Sequence, residues 1–145
     1  MLSGTFTPKL DDKGRFVIPA KFWEELRAGT VVTRGMDGSL ELYSQSEFER
    51  LQSLMVAQLP TLGQAGRDYV RFWVGGASQE VPDAQRRIPI PPVLRQFAGI
   101  DKELTLVGAI NKVEIWDSAT WEAYSAPKQE DFARGNEEVM RAIFG

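Results

Sequence analysis

Neither cysteine nor histidine occurs in this 145-residue chain, and their absence removes whole classes of chemistry. Without cysteine there are no disulfides and no thiolate nucleophiles or ligands. Without histidine a Ser-His-Asp triad cannot form, and a zinc site would need carboxylates alone. A carboxylate cage for magnesium or calcium stays open. Asp11, Asp12 and Asp37 are its only obvious members, their spacing matches no ligand pattern, and turn chemistry accounts for them. No nucleophile is assembled with a base, so neither enzymatic activity nor a cofactor or small-molecule substrate is expected. No apolar run reaches the roughly 18 residues a membrane span requires. The N-terminus also lacks a basic stretch followed by an apolar segment, which predicts a cytoplasmic rather than a secreted protein. Positive charge is scarce as well: Lys and Arg number 17 against 20 acidic residues, a net charge of −3. Nucleic-acid-binding domains are usually basic. Any such activity here must come from a local patch on an acidic body.

What the chain does have is a repeat. Leu10 to Phe22 reads LDDKGRFVIPAKF and Pro82 to Leu94 reads PDAQRRIPIPPVL. Asp11 and Arg15 return as Asp83 and Arg87, and Ile18-Pro19 as Ile90-Pro91, at an offset of 72. Leu40-Glu41-Leu42-Tyr43 returns as Val113-Glu114-Ile115-Trp116 at an offset of 73, with Phe48 and Leu51 returning as Trp121 and Tyr124. The slip of one residue fits a loop insertion between two copies of one unit. Half-chains of this size bury too little surface to be stable alone, so the copies are expected to share one core.

Each copy reads as strand, charged turn, strand, short helix, hairpin, helix. In the first, Gly4 to Leu10 leads into a turn at Asp11 to Gly14, and Arg15 to Ile18 resumes the strand. Pro19 opens a short helix to Arg27, closed by Gly29. Thr30 to Arg34 and Ser39 to Tyr43 flank a hairpin turn at Gly35 to Gly38. Ser44 to Glu47 is a capping box for a helix that Pro60 and Gly63 are expected to end. Gln64 to Val74 is an apolar connector, stopped at Gly75-Gly76. The second copy repeats the plan: Ser78 to Val81, the turn Asp83 to Arg86, Arg87 to Ile90, a short helix from Pro91 to Ala98, a hairpin turning near Asn111, and a helix capped by Asp117 to about Tyr124. Pro127 to Gly145 reads as a C-terminal amphipathic helix. The expected division is a first unit at 1–60, a helical connector at 61–77, a second unit at 78–125 and a C-terminal helix or tail at 126–145. Four short strands per copy favour a small barrel in which the copies close each other's edges.

Asp-x-x-x-Arg across a tight turn sets a carboxylate on one flank and a guanidinium on the other. In one reading the pair merely stiffens the hairpin. In the other, Asp orients Arg toward a phosphate or base edge, the bidentate recognition for which Arg is suited. Lys13 and Arg86 lie inside the two turns, and Lys9 just precedes the first. The segment LDDKGRFVIPAKF resembles the swapped-hairpin DNA-binding unit of the AbrB and MazE type. Its tandem duplication, with GTFTPKL, PPVLRQFAGI and NKVEIWD, is similar to the MraZ family of bacterial transcriptional regulators from Leu2 to about Tyr124. The resemblance implies an α+β, mainly β fold: two interlocked AbrB-like units in one small barrel with flanking helices. It implies a ring-shaped homo-oligomer that binds double-stranded DNA at short direct repeats, generally as a repressor of the division and cell-wall gene cluster containing its own gene, at the nucleoid. The DNA-binding residues it implies are Asp11, Lys13, Arg15, Asp83, Arg86 and Arg87. One departure stands out. The family usually has Gly before the second Arg, and here that position is Arg86, which predicts an altered turn because non-Gly residues at positive φ are disfavoured.

An antitoxin-like or scaffolding interaction protein on the same barrel is the alternative. MazE-like relatives bind a toxin through a C-terminal extension, whereas this tail is short. Trp23, Trp73, Trp116 and Trp121 are expected to be core or subunit contacts rather than base-stacking platforms. Tyr69 to Val74 carries more apolar surface than one helix face needs and is a candidate for the ring interface.

Overall fold

A computed structural model describes all 145 residues. The residues with β-branched and alternating apolar character form the strands. β1 is Thr5–Phe6, β2 Arg15–Val17, β3 Thr30–Arg34, β4 Leu40–Ser44, β5 Ser78–Glu80, β6 Arg87–Pro89, β7 Leu104–Gly108 and β8 Val113–Asp117. Six of them form one antiparallel sheet in the order β1-β7-β8-β4-β3-β5. Exchanging the two copies of the repeat turns this order into its own reverse. At its centre β4 pairs with its counterpart β8, Leu40 facing Ile115 and Leu42 facing Val113. At its edges β1 pairs with β7 and β5 with β3, so each copy's first strand completes the other copy's hairpin. The remaining strands, β2 and β6, pair with each other as a separate antiparallel ribbon.

The expectation of one small closed barrel is met in the interlocking and not in the hydrogen-bonded ladders, which leave the six-stranded sheet open at β1 and β5. Proline shortens the two edge strands. Pro8 and Pro82 lie between each edge strand and its charged turn, and a residue without an N–H cannot extend a ladder there. Beyond Pro8 only an isolated bridge from Lys9 to Glu103 continues β1. The strand expected from Gly4 to Leu10 therefore shrinks to Thr5–Phe6.

The main core draws on both copies: Leu10, Phe16, Ile18, Phe22 and Leu26 from the first, and Ile88, Ile90, Leu94 and Ala98 from the second, packed against sheet residues such as Leu42, Leu106, Val113 and Ile115. Burying one such side chain is worth about 1.5–3 kcal/mol, and neither half supplies enough of them alone. The short helices that close this core are α1 (Trp23–Leu26, entered by a 3-10 turn at Ala20–Phe22) and α3 (Pro92–Phe97). Pro19 and Pro91 precede them as caps.

Helix α2, Gln45–Tyr69, starts on the expected cap, with the Ser44 hydroxyl accepting from the Glu47 N–H at 3.2 Å. The expected end is found at Gly63 and not at Pro60, which lies inside the helix, and the expected helical connector follows. Helical geometry breaks at Gly63 (φ 59, ψ −142) and resumes at once, so the chain reaches Tyr69 and a π-helical turn at Val70–Val74. That second arm brings Trp73 over Tyr43, Phe48 and Val31 in a smaller core. Glu41, almost fully buried there, accepts hydrogen bonds from the Tyr43 hydroxyl, the Trp73 indole and Lys112. Burial first, then the charge of Glu41, pushes the Tyr43 phenol well above its ordinary value. Helix α4, Ser118–Arg134, capped by Asp117, packs its Trp121 and Tyr124 on Trp116. It runs through Pro127 rather than stopping near Tyr124. Gly135 (φ 80) then separates it from α5, Glu137–Phe144, so the expected single C-terminal helix is in fact the end of α4 plus α5.

Candidate nucleic-acid interface

The β2–β6 ribbon carries both charged turns. Phe16 and Ile88 face each other across it, and both are buried against the core. Side chains alternate along a strand, so Arg15, Val17, Arg87 and Pro89 stand on the opposite, outer face. Arg15 pairs with Pro89 and Arg87 with Val17. The two arginines are therefore diagonal neighbours, roughly 7–8 Å apart, with exposed Val17 between them. Two further bonds tie each turn to the other copy: the Ile90 N–H donates to the Gly14 carbonyl at 2.9 Å, and the Ile18 N–H to the Arg86 carbonyl at 2.8 Å.

Within the turns the geometry is the same bond for bond. In the first, one Asp11 carboxylate oxygen accepts from the N–H groups of Lys13 (2.9 Å) and Arg15 (3.0 Å), and the other accepts from Arg15 Nε at 2.9 Å. In the second, Asp83 accepts from the N–H groups of Gln85 (2.9 Å) and Arg87 (2.8 Å), and from Arg87 Nε at 2.7 Å. The Gly14 N–H closes onto the Asp11 carbonyl, and the Arg86 N–H onto that of Asp83. The expected alteration at Arg86 does not occur. Arg86 adopts φ 62, beside φ 74 at Gly14, because the cross-copy bond and the three bonds to Asp83 fix the chain where a side chain is disfavoured.

Each Asp holds its Arg by Nε alone, which leaves both terminal nitrogens of Arg15 and Arg87 free of protein hydrogen bonds. Those nitrogens form an end-on fork suited to a phosphate or a guanine edge. The carboxylates are well placed to stay ionised while doing this. The backbone N–H of Arg15 lowers the Asp11 carboxyl most, partial desolvation opposes it, and the Arg15 guanidinium adds to the lowering. Asp83 is lowered in the same way by the backbone N–H and guanidinium of Arg87.

Lys13 is exposed on the first turn, and Arg86 is half-exposed on the second. All six expected site residues thus belong to the ribbon and its turns. Lys9 does not join them, since it pairs with Glu103 at 3.7 Å. One neighbour of the site has no signal in the repeated motif. Arg95 of α3 donates Nε to the Ile90 carbonyl at 2.9 Å and lays its guanidinium over Gly14. A Cβ on Gly14 would stand 3.1 Å from Arg95 Cζ and 3.3 Å from each terminal nitrogen, so the guanidinium presents its flat face to that position. The Arg95 counterpart at the 72-residue offset is Trp23, which carries no charge; only the fold brings α3 beside the other copy's turn.

Trp73 and Trp116 are buried, Trp23 packs against the main core, and Trp121 lies on Trp116, so none of the four stands free as a stacking platform. Tyr69 and Phe72 remain exposed. No helix is long and apolar enough to cross a membrane.

Comparison with known proteins finds the duplication as well. A family model described as "MraZ protein, putative antitoxin-like" matches residues 1–71 and again 73–142, the two copies of the repeat. A protein of Leifsonia xyli subsp. xyli named "Transcriptional regulator MraZ" is 46% identical over 99% of this chain and 100% of its own length. Proteins of the same name from Micrococcus luteus and Clavibacter michiganensis subsp. michiganensis are 44% and 46% identical over the same shares of both chains.

Proposed function

The chain belongs to the MraZ family, and from that premise we propose that it is a sequence-specific, DNA-binding regulator of transcription that reads duplex DNA with the outer face of its β2–β6 ribbon. The observation that carries this reading is the pair of congruent turns. Two arginines, each oriented by an aspartate through Nε, project from one face of a two-stranded ribbon, and a β-ribbon is narrow enough to enter the major groove. In this reading Arg15 and Arg87 contact base edges or phosphates, Asp11 and Asp83 hold them in position, and Lys13 and Arg86 draw the phosphate backbone. The relatives' names describe regulation, not catalysis.

The acidic body fits if binding strength comes from assembly. A ring of identical chains arrays many arginine-bearing turns on one face, and linked weak sites gain avidity when the target repeats match their spacing. The proposed target is therefore a set of short direct repeats upstream of the chain's own gene, and the proposed effect is repression of the division and cell-wall cluster that includes that gene, with the protein at the nucleoid. The same reading takes the ribbon packed over the sheet as the swapped-hairpin barrel of the AbrB type, with units at 1–60 and 78–125, a helical connector at 61–77 and a C-terminal helical segment at 126–145.

Footprinting of the DNA upstream of its own gene tests the proposal. Protection confined to evenly spaced short repeats is the expected result; no protection, or uniform protection of any sequence, would overturn it. A second reading, an antitoxin-like or scaffolding interaction protein, draws on one observation: α5 buries none of its residues and exposes Val139, Met140, Ile143 and Phe144. A chain shortened before Asn136 that still protects the repeats would separate that surface from DNA reading.

A further inference from the structure

The two turns are equal in backbone and unequal in charge. Asp11, Asp12, Lys13 and Arg15 leave the first turn with no net charge, whereas Asp83, Arg86 and Arg87 leave the second with one surplus positive charge. A turn with no net charge is a poor partner for a polyanion. Arg95 corrects the imbalance. Its guanidinium lies on Gly14, the position that corresponds to Arg86, and Gly14 leaves it that room by having no side chain. Neither terminal nitrogen of Arg95 bonds to protein, and no carboxylate pairs with it. The single Nε bond to the Ile90 carbonyl fixes its direction, and the Ile90 N–H is itself bonded to Gly14, so the side chain and the first turn form one rigid unit.

We infer that Arg95 is a phosphate-contacting residue of the first turn, supplying from α3 the surplus positive charge that Arg86 supplies from within the second turn. The inference rests on the DNA-binding reading above. It gives each turn one guanidinium held by Asp and one held free of acids. It also matches the exchange within this chain: where the first turn keeps Gly14, the helix arginine covers it, and where the second turn carries Arg86, the helix counterpart is Trp23.

The test is the salt dependence of affinity for a duplex covering the upstream repeats, in the full-length chain. Arg95→Gln should lower the slope of log affinity against log salt by about one per bound turn, and weaken binding about fivefold near physiological salt, as expected for loss of one phosphate contact. Arg95→Lys keeps the charge but not the planar fork, and should retain the slope. A residue that only braced Ile90 would lower the melting temperature in both variants and leave the slope unchanged, and that result would overturn the inference. Failure of the wild-type chain to bind the duplex at all would defeat the DNA-binding reading itself, and this inference with it.

Discussion

The two charged turns are copies that diverged in sequence and not in shape. The first keeps Gly14 in its left-handed position; the second holds Arg86 there at φ 62, with every turn hydrogen bond retained. The difference teaches that the turn is specified by its Asp and by the partner copy, not by its glycine. Asp11 or Asp83 gathers two N–H groups and one Nε, and the ribbon partner takes the carbonyl at the left-handed residue. Against those contacts the preference of a side chain for negative φ is the weaker effect. What the exchange does alter is where the extra positive charge sits.

The largest effect should come from removing what the turns share. Phe16 and Ile88 are counterparts and also facing partners in the ribbon, both buried. Phe16→Ala should cost about 3–5 kcal/mol and Ile88→Ala about 2–5 kcal/mol, and each should loosen both turns together. Thermal unfolding with hydrogen exchange at residues 11–15 and 83–87 checks this. Loss of protection in one turn alone would show that the turns are independent. Next in size, Arg15→Ala and Arg87→Ala should each weaken DNA binding roughly ten- to a hundredfold, in line with a lost bidentate contact. Because the two Asp–Arg geometries match, the two losses should be similar; a loss confined to one variant would make the other turn a bystander.

Gly14→Ala probes the asymmetry directly. The new methyl would meet both a φ of 74 and the Arg95 guanidinium at 3.1 Å, so destabilisation of about 1–2 kcal/mol is expected on denaturant unfolding. The reverse exchange, Arg86→Gly, relieves a strained side chain but frees the unfolded backbone. Stability should rise by less than about 1 kcal/mol, while the salt slope of DNA binding falls by about one. The smallest effect concerns acid. Both Asp carboxyls lie below their ordinary value of 3.8. A lowered folded-state value stabilises above the unfolded value, and that contribution is lost as pH falls through the folded one. Acid titration followed by NMR should therefore show Asp11 and Asp83 ionising together, below 3.8; an ordinary value for one alone would break the equivalence of the turns.

The parts of the fold legible in the sequence are those fixed over a few residues. The Ser44 and Asp117 caps, the hairpin turns and the Asp-x-x-x-Arg motif each depend on a local bond that the residue types announce. The duplication also announced a shared core, because neither half had enough apolar surface alone. The break at Gly63 and the helical arm after it were legible as well, but where that arm docks was not. Its docking depends on Trp73 finding Tyr43 and Phe48, a contact made only once the sheet exists. Arg86 read as a defect because one of its compensating bonds comes from Ile18, in the other copy. Arg95 carried no signal for the same reason, since the turn it covers is 81 residues earlier in the chain.

The central claim is that both ribbon arginines face the same DNA. Quantitative binding of the upstream duplex by the wild-type chain, each single arginine variant and the Arg15→Ala, Arg87→Ala double variant tests it most directly. The account predicts similar losses for the single variants and no repeat-specific binding by the double variant at moderate salt, with folding intact by thermal melt. A folded double variant that still bound the repeats with wild-type affinity would contradict it.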